Sequence, residues 1–107
     1  TMLKLTKAQF SAQVIDLAHY CGWKVAHFRP ARVIKNGQET WRTPVSADGK
    51  GFPDLILARK GIVICVELKS ETSEMSYEQR EWSTELGVMS VGVWRPSDWD
   101  TIVEKLK

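Results

Sequence analysis

Cysteine is scarce in this chain: Cys21 and Cys65 are the only two among 107 residues. They are too few and too isolated for a disulfide framework. The two cysteines are also too few for a zinc site, and neither His19 nor His27 has a spacing that suggests a metal ligand or a nucleophile triad. A reducing, intracellular setting is the expectation that follows. No apolar run approaches membrane-spanning length, and the opening residues from Thr1 to Thr6 lack the apolar core of a signal peptide, so no membrane partner is expected. Repeats, low-complexity tracts and interdomain linkers are also lacking. The length suits one domain over residues 1–107 with a single modest core.

Net charge is small, at +2, but it is unevenly spread. Residues 1–60 hold ten Lys/Arg against four Asp/Glu, a balance of +6; residues 61–107 hold five against nine, a balance of −4. Arg29, Arg32, Lys35, Arg42 and Lys50 fall together in the basic half. A basic stretch of this kind suits a polyanion such as DNA, although a solvated loop would read the same way.

The hydrophobic pattern gives the order of elements. Thr6 and Gln9 have the spacing of a capping box, followed by Phe10, Val14, Leu17, Ala18 and Cys21 at helical intervals, and Gly22 reads as the stop. Trp23 to Phe28 reads as a strand. Asn36-Gly37, between Arg32-Val33-Ile34 and Thr40-Trp41-Arg42, is a hairpin-turn signal, so this stretch is expected to form a basic β-arm. Two apolar runs on either side of Gly61 follow. Ser76 and Gln79 open a helix to about Leu86, Met89 to Trp94 is a strand, and Ser97 is expected to cap a last helix. This order fits an α/β fold: a mixed central β-sheet flanked by helices. Trp23, Trp82 and Trp94 are expected in the core. Trp41 on the arm is the better candidate for stacking on a base, and His27 a weaker one for meeting phosphate.

The chemistry concentrates in one segment. Asp54 precedes one apolar run, and Glu67 ends the next, thirteen positions later; Lys69 follows two residues beyond. Folded as a hairpin about Lys60-Gly61, the segment brings Asp54 beside Glu67, and Lys69 shares the face of Glu67 because strand side chains alternate. Paired carboxylates at a strand end suit a hard divalent cation, magnesium or manganese. An adjoining lysine adds the fixed positive charge that phosphodiester hydrolysis uses.

These residues carry a resemblance. Gly51-Phe52-Pro53-Asp54, Glu67-Leu68-Lys69 and Gln79, with the ending Val93-Trp94-Arg95-Pro96-Ser97-Asp98-Trp99 and an opening helix running into Gly22-Trp23, resemble the PD-(D/E)XK nuclease superfamily. Within it they resemble the VRR-NUC group of virus-type replication and repair nucleases. The likeness spans nearly the whole chain and is weakest from Arg29 to Asp48. It implies a restriction-endonuclease-like core, with Asp54, Glu67 and the Leu68 carbonyl as metal ligands. Lys69 would orient the attacking water or stabilise phosphate charge, and Gln79 would help hold the water or the phosphate. Many members carry a glutamate in the first helix; here the corresponding stretch reads Thr6-Lys7-Ala8-Gln9-Phe10-Ser11-Ala12-Gln13. Gln9 and Gln13 are the supporting candidates there, as neutral ligands or water holders.

The expectation is therefore a metal-dependent DNA endonuclease, structure-specific on branched or four-way-junction DNA and paired as a homodimer. The rivals are a non-catalytic DNA-binding module on a degenerate nuclease fold, and a nuclease acting on flaps or single-stranded ends. For the basic arm, the triple substitution Arg32→Ala, Lys35→Ala, Arg42→Ala is expected to weaken DNA binding. The slope of log affinity against log salt should become shallower by about 0.9 per lost phosphate contact on duplex DNA. An unchanged slope, measured by fluorescence anisotropy across a salt series, would mark those residues as a solvated loop.

Overall fold

The structure is a computed structural model that describes residues 5–28, 31–42 and 45–107. At Ala31, Arg32, Val33 and Arg42 the description covers the backbone alone. The chain runs α1 (Lys7–Tyr20), β1 (Lys24–His27), β2 (Ala31–Lys35), β3 (Gln38–Arg42), β4 (Leu55–Arg59), β5 (Ile62–Leu68), α2 (Tyr77–Leu86), β6 (Ser90–Trp94) and α3 (Trp99–Leu106). Single 3-10 turns, Gly87–Met89 and Pro96–Asp98, precede β6 and α3.

Strands β1, β4, β5 and β6 form one mixed sheet in the order β1-β4-β5-β6. The β1–β4 and β4–β5 pairs are antiparallel, whereas β6 runs parallel to β5 after the α2 crossover. Strands β2 and β3 make a separate two-stranded arm joined by Asn36-Gly37, both at positive φ, as the turn chemistry requires. Alternation along the central strands sorts their faces. Leu55, Leu57, Ile64, Val66 and Leu68 join Phe10, Val14 and Ala18 of α1 and Ile102 and Leu106 of α3 in one buried cluster. Each of these larger side chains contributes roughly 1.5–3 kcal/mol by leaving water. Glu67, at the alternate position, meets Gln79 of α2.

At the end of the sheet away from Asp54, Arg59 ties three elements together. Its guanidinium donates to the carbonyls of Cys21 (2.8 Å), Leu106 (3.1 Å) and Lys107 (2.9 Å) and lies 4.3 Å from the centre of the Trp23 ring. The ends of α1 and α3 are thereby fixed to β4.

Two expectations are corrected here. Ser97 does not cap α3: it sits inside the Pro96–Asp98 turn, and its N–H and hydroxyl both donate to the Glu71 carboxylate. The residue before α3 is Asp98, whose Oδ2 accepts from the Arg95 N–H. Trp82 is half-buried rather than part of the core, because α2 packs on the loop before Asp54. Its ring meets Phe52 edge-on at 4.9 Å, and its indole N–H donates to the Asp48 carbonyl at 3.0 Å.

Gly51 makes that packing possible. It has φ +84°, and a Cβ there would lie 2.6 Å from backbone and side-chain carbons of Glu78. Gly61, at φ +83°, has open space around it. Gly61→Ala is therefore expected to cost about 1 kcal/mol from backbone strain alone, and Gly51→Ala at least about 2 kcal/mol because α2 must also move. Urea denaturation of the two variants checks the difference.

Candidate functional site

The β4–β5 register pairs Leu55 with Val66; continued by one residue, it sets Asp54 opposite Glu67. The Leu68 N–H donates to Asp54 Oδ2 at 2.9 Å, which locks the aspartate against the end of β5. Lys7, the first residue of α1, approaches the same oxygen at 3.3 Å. Both contacts of Asp54 thus fall on Oδ2, leaving Oδ1 for a ligand.

Glu67 lies deeper, at 2% exposure. Gln79 donates from Nε2 to Glu67 Oε2 at 2.7 Å, while Glu67 Oε1 is buried with no hydrogen-bond partner. Gln79 is itself held rigidly. Its Oε1 accepts from the Ser76 N–H at 2.8 Å, and its own N–H donates to the Ser76 hydroxyl at 3.2 Å. The capping box that starts α2 therefore also aims the amide at Glu67, so one side chain serves both local and site geometry.

Burial and the nearby Asp54 charge push the Glu67 carboxyl up to about 7, against the partial relief given by Lys69, Lys7 and the backbone N–H of Asp54. A buried carboxylate with one oxygen lacking a hydrogen-bond partner, near a second carboxylate, is an arrangement that a hard cation stabilises by satisfying both acids at once. The donor set fits magnesium or manganese in that sense. Among the described residues, no group of three His, Cys, Asp or Glu side chains converges.

The remaining sequence-derived candidates lie as follows. Leu68 has its side chain in the core and presents its N–H to Asp54. Lys69 follows β5, and its N–H donates to the Trp94 carbonyl at 3.0 Å. Gln9 and Gln13 are exposed on α1, and Gln9 Oε1 is taken by the Thr6 N–H in the first capping box. Lys50 pairs with Glu78 at 3.1 Å, beside α2 rather than on the arm. Lys35 is exposed at the end of β2, and Trp41, 66% exposed, stands on β3. Arg29 lies outside the described residues, as do the side chains of Arg32 and Arg42. His27 is half-buried at the end of β1.

Comparison with family models, curated proteins and solved structures finds no match to this chain. The geometry of the site therefore carries its own interpretation.

Two contributors were not singled out by sequence reasoning. Lys7 stands in the first-helix stretch with no role assigned to it above, yet its ammonium lies 3.3 Å from Asp54 Oδ2. The signal for it was present: a lysine opening a helix whose first turn holds no acid is electrostatically misplaced unless something else is anionic nearby. The second is the support behind Lys69. Arg95 donates to the carbonyls of Ser70 and Ser73, and Glu71 accepts from Ser97, so the segment from Lys69 to Ser76 is fastened to the turn before α3. No local pattern announces these long-range pairs.

The raised Glu67 pKa has a definite sign for stability. Between 4.5 and about 7 the unfolded chain has released a proton that the folded protein retains, so metal-free stability falls as pH rises through that window. Glu67→Gln removes this contribution. Relative to wild type, the variant should gain about 3 kcal/mol across the window in chelator-treated buffer. Urea unfolding at several pH values measures it; parallel pH profiles for the two proteins would contradict the buried-charge account.

Proposed function

We propose that this protein is a divalent-metal-dependent deoxyribonuclease with a PD-(D/E)XK-type core of the VRR-NUC kind, hydrolysing phosphodiester bonds in branched or four-way-junction DNA. The observation that carries the reading is the buried Glu67 Oε1 that lacks a hydrogen-bond partner, in a carboxyl close enough to Asp54 and Lys69 to feel both charges. Asp54 and Glu67 would hold magnesium or manganese. When bound, the cation supplies a lowered pKa for an attacking water and compensation of charge at phosphorus.

The side chains do the rest. Lys69 places a fixed positive charge where negative charge builds on the phosphate, which is worth most in a site screened from bulk water. Gln79, held by the Ser76 cap, keeps Glu67 in one orientation, so that Oε1 rather than Oε2 is offered to the ligand. The arm of β2 and β3, with Lys35 and Trp41 exposed, supplies phosphate and base contacts. A domain of this size has little surface for reading a long base sequence, which favours recognition of DNA shape. A two-fold homodimer would present two sites to strands of opposite polarity.

A second reading is a DNA-binding module without cleavage, and the Lys7–Asp54 ion pair, which occupies one of the two acids, is the observation in its favour. One experiment separates the two: incubation with linear, flapped and four-way DNAs, with and without magnesium or manganese. We expect metal-dependent cuts at paired positions on opposite strands of the junction. Glu67→Ala should abolish cleavage and leave DNA binding within about threefold, because affinity comes mainly from phosphate contacts elsewhere. Lys69→Ala should slow cleavage on the order of a hundredfold while retaining metal binding. Binding to every DNA with no cleavage under any metal condition would establish the module reading instead.

A further inference from the structure

We infer that Lys7 is the resident counter-cation of this site: in the metal-free protein it neutralises Asp54, and it is released from Asp54 when a divalent ion enters. The inference rests on the metal-site reading above and concerns how strongly, and in what company, the ion binds.

The geometry is direct. Lys7 Nζ lies 3.3 Å from Asp54 Oδ2, with the lysine side chain 49% exposed and the aspartate 15% exposed. Lys7 is the first residue of α1, where the helix dipole disfavours positive charge, and no acid in that first turn compensates for it. Its anionic partner is Asp54, three elements further along the chain.

Charge balance then dictates the consequence. With both acids ionised, Asp54 and Glu67 are matched by Lys7 and Lys69, and the cluster is formally neutral. Adding a divalent ion to a neutral cluster leaves two uncompensated positive charges in a partly buried place, which weakens binding. Moving Lys7 away from Asp54 relieves part of that cost, and its half-exposed side chain has room to swing toward solvent. A phosphodiester brought by DNA supplies a negative charge that receives the freed ammonium. Metal and DNA should therefore bind with positive coupling, and that coupling is reciprocal. Lys7 would make the site weak for metal alone and stronger with the substrate present.

The test is manganese titration by calorimetry at about pH 8.5, where Glu67 is ionised. Wild type, Lys7→Gln, Lys7→Glu and the double variant Lys7→Gln, Asp54→Asn are compared, with circular dichroism confirming that each is folded. Lys7→Gln should bind manganese about two- to fivefold more tightly than wild type, as expected for removing one partly exposed ion pair. Lys7→Glu should bind more tightly still, and the double variant should lose the gain. With a non-cleavable phosphorothioate DNA present, manganese affinity should rise more in wild type than in Lys7→Gln. Equal manganese affinity in wild type and Lys7→Gln overturns the counter-cation role while leaving the metal site standing. An absence of manganese binding in all four proteins, with or without DNA, overturns the metal reading and the role of Lys7 with it.

Discussion

The carboxylate of Glu67 is 2% exposed on the central strand β5 and faces a second acid, Asp54, across the strand pair. An ion in such a place costs several kcal/mol unless charges and hydrogen bonds surround it. Much of the neighbouring architecture supplies them. Gln79 satisfies one oxygen from the first turn of α2, the Leu68 amide and Lys7 hold Asp54, and Lys69 adds positive charge nearby. The loop before Asp54 is pressed onto α2 through Gly51, Phe52 and Trp82, which keeps Gln79 at bonding distance. Remove the buried acid and these contacts lose their common purpose.

The two ends of the sheet divide the work. At one end Arg59 gathers the carbonyls that end α1 and α3, and the arrangement is satisfied within the protein. At the other, Glu67 retains an oxygen with no partner. Buried polar atoms are hydrogen-bonded as a rule, so this oxygen is an exception, and the reading proposed above explains it as a place for a cation. The raised Glu67 pKa reports an ionised form that burial and the Asp54 charge disfavour.

Much of the fold was legible in the sequence because the signals were local. Both capping boxes, Thr6 with Gln9 and Ser76 with Gln79, and the Asn36-Gly37 hairpin depend on residues within a few positions of one another. The two apolar runs about Gly61 became β4 and β5 in antiparallel register. Ser97 misled because a serine ahead of an apolar helix is a good cap only if the helix begins there. A Pro96–Asp98 turn intervened, and Glu71, distant in sequence, offered the serine a better partner.

For the site, the sequence by itself determined that Asp54, Glu67 and Lys69 share one strand end, since hairpin pairing and two-residue alternation leave little else for them to do. It also placed Gln79 in the first turn of a helix. Only the tertiary structure decided the rest. Which oxygen of each acid is engaged, the reach of Lys7 to Asp54, the fastening of the Lys69 segment by Arg95 and Glu71, and the burial that raises Glu67 all depend on how α1, α2 and the turn before α3 pack around the sheet. Those are contacts between residues far apart in the chain, set by the burial of shared apolar faces, and no short-range pattern encodes them.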